Sequence, residues 1–270
     1  MAAQPNLYTK AAFLYDFDNR DIVKSDIPFY LEYAAKYRGN ILELACGTGR
    51  VSIILAQNGY KTYGIDLSDS MLDQFKIKLK FEPQSVQDNI RIGQYDMANF
   101  KLNQTFSLII VPFRAFQSLI TAESQRNCLK CVYRHLRPEG VFIINVFRPY
   151  KKMDESWVYP EMVQWEVRDE KTGNTIIKKH RGPKIDVANQ IIYPEMIYQV
   201  LEPDGKVTEI VEPLELKYYY DEDLRNLLES EGFEIKEEYG YYDKCNIQNG
   251  KELIFVCGKK GSRRNLGSGE

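Results

Sequence analysis

The sequence predicts an α/β fold: a mostly parallel sheet with helices on both faces, plus an inserted antiparallel β segment. Three observations predict it. Short, almost wholly apolar runs (41–45, 106–111, 141–147) alternate with stretches of helical spacing, and strands apolar on both sides belong to parallel sheets covered on both faces. A glycine turn, Cys46-Gly47-Thr48-Gly49, joins the first run to a helix. From about Ser156 to Tyr219 the chain turns to Val, Ile, Tyr and Thr broken by turn residues, the texture of hairpins.

In order, residues 8–38 read as mostly helical and aromatic, ending at Gly39. Residues 41–45 are a buried strand, 50–58 a helix stopped by Gly59, and 61–66 a second strand. Ser68 is placed to cap a helix carrying Met71, Leu72, Phe75 and Leu79. Residues 90–94 and 106–111 are strands, 122–136 a helix, 137–140 a turn and 141–147 a strand. The inserted segment reads as a meander of three to five strands, with turns at Thr172-Gly173-Asn174 and Pro203-Asp204-Gly205-Lys206 and with Val163, Trp165 and Val167 alternating to one face. A helix over 221–231, stopped by Gly232, and strands 233–237 and 253–257 close the chain.

The bulk numbers narrow the function. The 270 residues carry a net charge of −2, which argues against a broad nucleic-acid surface. No apolar run approaches the ~20 residues of a membrane span, and the N-terminus lacks the basic-then-apolar pattern of a secretory leader. The five cysteines follow no framework spacing. Cys128 and Cys131 sit inside a helical pattern, where packing is the simpler role and no metal site is expected. The reading is a cytoplasmic protein with reduced thiols.

The chemistry gathers at strand ends. A glycine turn opening a helix lets a ligand approach the backbone and offers free N–H groups. Asp66 ends the next strand, where a carboxylate accepts from ribose hydroxyls. A nucleoside-bearing ligand is therefore expected. Gly47-Thr48-Gly49 lacks the third glycine of the dinucleotide fingerprint, which disfavours NAD.

The segment ILELACGTGR (41–50) resembles motif I of class I S-adenosylmethionine (SAM)-dependent methyltransferases. YGIDLSDSML, GQYDMANF, FSLIIVPFRAFQSL and LRPEGVFIINVF resemble their later motifs, in the same order. Ala45 departs from the pattern, standing where the first glycine is commonest. The resemblance implies a Rossmann-like seven-stranded sheet. It also implies four regions: N-terminal lid helices and the SAM-binding core (1–150), an antiparallel insertion serving as substrate cover or dimer contact (151–219), a last helix and two strands completing the core (220–258), and a disordered tail (259–270).

The resemblance further implies the site. Glu43 would order the turn near the SAM amino group. Ala45, Cys46, Gly47 and Gly49 would line the methionine part and ribose, and Asp66 would hold the ribose hydroxyls. Leu67 and Met71 would pack on adenine, Asp96 and Met97 would bond its edge, and Val111 would border the methionine. Tyr15 would reach the cofactor from the lid. The expected product is S-adenosylhomocysteine (SAH), and the expected acceptor an N or O atom of a small molecule. RNA or protein methylation, or SAM binding without catalysis, stand as alternatives.

Because the SAM methyl is already activated, no catalytic motif is required. Tyr15 and Arg114 are weak catalytic candidates, while His135 and His180 read as structural. Trp157, Tyr159, Trp165 and Tyr193 either line an acceptor pocket or fill the meander's own core.

Overall fold

The computed structural model describes residues 8–261. Its central sheet is built from β1 (Ile41–Leu44), β2 (Thr62–Asp66), β3 (Ile90–Gln94), β4 (Phe106–Val111) and β5 (Leu136–Phe147), all mutually parallel, in the order β3-β2-β1-β4-β5. The insertion supplies β6 (Tyr159–Arg168), β7 (Thr175–Gly182), β8 (Ile185–Asp186), β9 (Ile191–Ile192), β10 (Glu195–Leu201), β11 (Val207–Pro213) and β12 (Leu216–Lys217). β14 (Glu252–Lys259), antiparallel to β5, and β13 (Phe233–Tyr239), antiparallel to β14, bring the central sheet to seven.

Alternation along the strands sorts the core into two layers. Leu42, Leu44, Ile109, Phe142, Ile144 and Phe255 face α5 (Ala122–His135) and α6 (Asp221–Ser230). Ile41, Leu108, Ile110, Val141, Ile143 and Val256 face α1 (Ile27–Lys36) and α2 (Arg50–Gln57). A third cluster packs α3 (Asp69–Leu79) on the β2–β3 side through Leu72 and Phe75. Caps fix the helix starts: Ser68 Oγ accepts from Met71 N–H at 3.3 Å, and Thr121 Oγ1 from Ser124 N–H at 3.1 Å. Gly59 and Gly232, at φ +84° and +89°, follow the ends of α2 and α6.

The structure departs from the sequence reading at several points. The N-terminal stretch is less helical than its spacing suggested: two 3-10 turns (Ala12–Phe17, Asp21–Val23) precede α1, because Asp18 is extended and Pro28 begins a new helix at its first turn. Ala45 lies beyond β1 in the left-handed region at φ +53°. Residues 137–140 are a bulge within β5, opposite Ser107, since Phe106 pairs with Leu136 and Leu108 already with Val141.

The insertion holds seven strands in two sheets, β11-β10-β7-β6 and β12-β9-β8. Three of its strands are two residues long, too short to leave a periodic pattern. Both glycine turns are present, Gly173 at φ +76° and Gly205 at φ +89°. Alternation in β6 is broken between Val163 and Trp165: Val163 is 61% exposed and Trp165 6%. β14 continues to Lys259, opposite Phe233. The rest of the expected disordered tail, from residue 262, lies outside the described residues.

Candidate active site

The chain order of the central sheet reverses between β1 and β4, and the crevice at such a point, beyond the strand C-termini, is where open α/β sheets bind ligands. A cavity of about 310 Å³ lies there. The sequence-predicted residues Tyr15, Glu43, Ala45, Cys46, Gly47, Asp66, Leu67, Met71, Asp96 and Met97 all line it, together with Arg114.

Two predicted residues do not. Val111 is fully buried in the sheet, and the next residues, Pro112 and Phe113, form the wall instead. Gly49 is held by packing: a Cβ there would lie 2.3 Å from the Phe75 ring, and its φ is +79°. Gly47 is the opposite case. Its φ is +54°, yet the nearest atom to an added Cβ is Met71 Cε at 3.6 Å. That space beside the backbone at the start of α2 is what a closely approaching ligand requires.

Asp66 ties the turn to β2. Its carboxylate accepts from Gly47 N–H at 2.7 Å and Ser68 N–H at 2.8 Å. Burial raises its pKa, and those backbone donors oppose the rise. Asp96 accepts from Ala98 N–H at 2.7 Å, which shapes the turn after β3. Glu43 lies under α2, where it accepts from Ser52 Oγ. Burial pushes its pKa up to about 7, against the lowering effects of Ser52 and Arg50.

The N-terminal segment closes over the turn. Thr48 Oγ1 donates to Asp16 at 2.7 Å, and Lys78 pairs with Asp16 at 2.8 Å. Arg50 grips Asp26 with two bonds of 2.6 Å and the Val23 carbonyl with a third. From above, Ala11 and Leu14 pack against Trp165, Ile176 and Tyr198 of the insertion. Glu212 of β11 accepts from Lys10 and Ala11 N–H. Tyr15, edge-on to Tyr8 at 5.4 Å, is held between these layers, and burial drives its pKa upward.

The Arg114 guanidinium is occupied by an ion pair with Glu252, Nε lying 3.1 Å from both carboxylate oxygens, while Asn145 accepts from the Arg114 backbone N–H and donates to the Glu252 carboxylate. Phe113 and Arg114 are both left-handed, at φ +53° and +67°, a strain of roughly 1–2 kcal/mol each that these contacts hold in place.

His135 bonds Leu102 N–H and the Cys131 carbonyl inside the core, and Cys128 and Cys131 are buried free thiols. Trp157 stacks on Phe147 and lies tilted against Tyr150, and Trp165 packs edge-on against Tyr198. With Tyr159 and Tyr193, they lie outside the cavity wall. Among the described residues no group of His, Cys, Asp and Glu could hold a metal, and no helix is long and apolar enough to cross a membrane.

Sequence reasoning missed Arg20, Gln164, Lys178 and Met196, which also face the cavity, as does Tyr8 of the expected lid segment. They come from the N-terminal turns and the insertion, whose placement no local motif reports.

A seven-stranded sheet of this order, with a glycine turn and two acidic strand ends facing one crevice, defines the class I SAM-dependent methyltransferase fold. Residues 41–140 match the family described as “Methyltransferase domain”. “Putative methyltransferase YqeM” of Bacillus subtilis (strain 168) is 33% identical over 125 residues, 45% of this chain and 48% of that protein. The dTDP-3-amino-3,4,6-trideoxy-alpha-D-glucopyranose N,N-dimethyltransferase of Streptomyces venezuelae is 26% identical over 144 residues, 53% of this chain and 57% of that one. The chain spans about half the length of the curated relatives it matches first. Across nearly its whole length the fold is similar to the CcbJ methyltransferase of Streptomyces caelestis, at TM-score 0.77 and 21% identity over 96% of this chain and 99% of that one.

Proposed function

We propose that the protein transfers a methyl group from SAM to a nitrogen or oxygen atom of a small molecule, in the cytoplasm. The observation that carries this reading is the convergence of the open Gly47 backbone, Asp66, Asp96 and Met71 on one cavity roofed by the N-terminal turns and the insertion. The residues fit the cofactor. Asp66 has its carboxylate fixed at the cavity wall for ribose hydroxyls, Leu67 and Met71 offer an apolar surface for adenine, and Asp96 and Met97 face its edge. When bound, SAM supplies an electrophilic methyl group.

The chain's own part is to position the acceptor and exclude water. Tyr8 and Tyr15 line the roof of the cavity. Arg114 acts through its ion pair, holding the loop after β4 in place. A nitrogen acceptor is the preferred reading, supported by the amino-sugar dimethyltransferase among the relatives.

The test is an SAH-release assay with labelled SAM and a panel of small amines, amino sugars and phenols, with RNA and protein as controls. Turnover on a small amine or phenol is expected. Transfer confined to the macromolecular controls would refute the small-molecule reading.

A further inference from the structure

We propose that Lys178 and Gln164 of the insertion form an anion-recognising subsite of this cavity, so that the acceptor carries a carboxylate or phosphate group. This deepens the methyltransferase reading and rests on it.

The argument starts from strand register. Trp165, Lys178 and Tyr198 are direct cross-strand partners on β6, β7 and β10, so their side chains share one face. That face is the buried one: Trp165 is 6% exposed, Lys178 7% and Tyr198 0%. It packs on Ala11 and Leu14 of the roof. A lysine in such a row is rarely tolerated unless it is paired. Among the described residues Lys178 has no salt bridge. Its ammonium lies over the Tyr198 ring at 5.3 Å. The carboxylate near it, Asp18, is already engaged by Arg20 through bonds of 2.8 and 2.6 Å. Lys178 therefore brings an uncompensated charge to the cavity wall. Burial lowers its pKa to about 8, with Asp18 opposing and Arg20 reinforcing the shift.

Gln164 is the second, independent observation. Val163 pairs with Lys179 and Trp165 with Lys178, leaving Gln164 as the extra residue of a bulge. A bulge re-aims a side chain and is favoured beside active sites. Here it puts Gln164 on the cavity wall with its buried Oε1 lacking a partner. Trp165 Nε1 and Tyr198 OH in the same row are also unpartnered, but only Gln164 and Lys178 bring their polar groups to the cavity wall. An acceptor offering an anionic oxygen to Lys178 and a hydroxyl or amine hydrogen to Gln164 satisfies both.

The experiment uses the full chain saturated with SAH. Calorimetry follows binding of inorganic pyrophosphate, inorganic phosphate and acetate, with sodium chloride at matched ionic strength as control. Wild type should bind at least one of these anions. Preference for pyrophosphate or phosphate would mark a phosphorylated acceptor, and preference for acetate a carboxylate.

Lys178→Met should weaken that binding about tenfold or more, and Lys178→Arg should retain most of it. SAH affinity should not change in either. Should Lys178→Met fail to fold, the Lys178 Cε resonance of wild type carries the test, because anion binding must shift it. Absence of anion binding in wild type, equal binding in Lys178→Met, or an unmoved Cε resonance would overturn the subsite. Loss of SAH binding in wild type would instead refute the methyltransferase reading.

Discussion

Asp66 does two jobs, and they predict two losses. It orders the glycine turn through the Gly47 and Ser68 N–H groups, and it is proposed to hold the ribose. Asp66→Ala should lose about 1–3 kcal/mol of stability, since the two donors lose their partner. Separately, it should bind SAH about tenfold more weakly. Denaturant melts and calorimetry separate the two, and wild-type SAH affinity in the variant would remove the ribose role.

Glu43, held near pKa 7 by burial, predicts a pH effect. A cationic amino group beside it favours the carboxylate, so SAH affinity should rise as pH passes upward through about 7. Glu43→Gln should flatten that rise, and an unchanged slope would place the amino group elsewhere.

Lys178 gives a signature in stability rather than in binding. Its folded value of about 8 lies below the ordinary 10.5, so between these values the unfolded chain holds more protons. Stability contributed at this site should therefore grow as pH rises from about 8 to 10.5, by roughly 3 kcal/mol in total. The slope should be missing when Lys178→Met is compared with wild type. Residues of the glycine turn and the acidic strand ends were legible because their spacing is local. Lys178 and Gln164 were not, because their meaning depends on a bulge that reverses the phase of β6. The apparent stripe Val163, Trp165, Val167 therefore misstates which side chains share a face.

At the scale of elements, two ion pairs clamp the roof, Lys78–Asp16 at the surface and Arg50–Asp26 in the interior. Asp26 is fully buried and Arg50 mostly so, and breaking such a pair by removing one partner costs roughly 3–5 kcal/mol. Asp26→Asn should therefore loosen the N-terminal turns. Hydrogen exchange at residues 11–26 should quicken by more than at β4 or β5, whose core strands open only on global unfolding. Uniform quickening would mean that the pair supports the whole fold rather than the roof.

The parallel strands and their helices were readable from apolar runs, caps and glycine stops. The N-terminal stretch was misjudged because it has packing partners on more than one side: Ala11 and Leu14 face the insertion while Asp16 faces Thr48. A periodicity argument has no single face to find there.

At the scale of the whole molecule, the layers make one device. The central sheet presents the turn, the N-terminal turns close it, and the four-stranded sheet of the insertion presses on them from outside. The sequence announced that an insertion existed and where it left the core, but not that its inner row would reach the cavity. That knowledge required cross-strand register, which is set by contacts far apart in the chain.

The central claim is that this cavity is a SAM site, and titration of the purified chain with SAH, with NAD as comparison, tests it most directly. A single saturable site for SAH, a rise in melting temperature with it, and no response to NAD are the expected results. No binding at millimolar SAH, or binding of NAD in its place, would contradict the account.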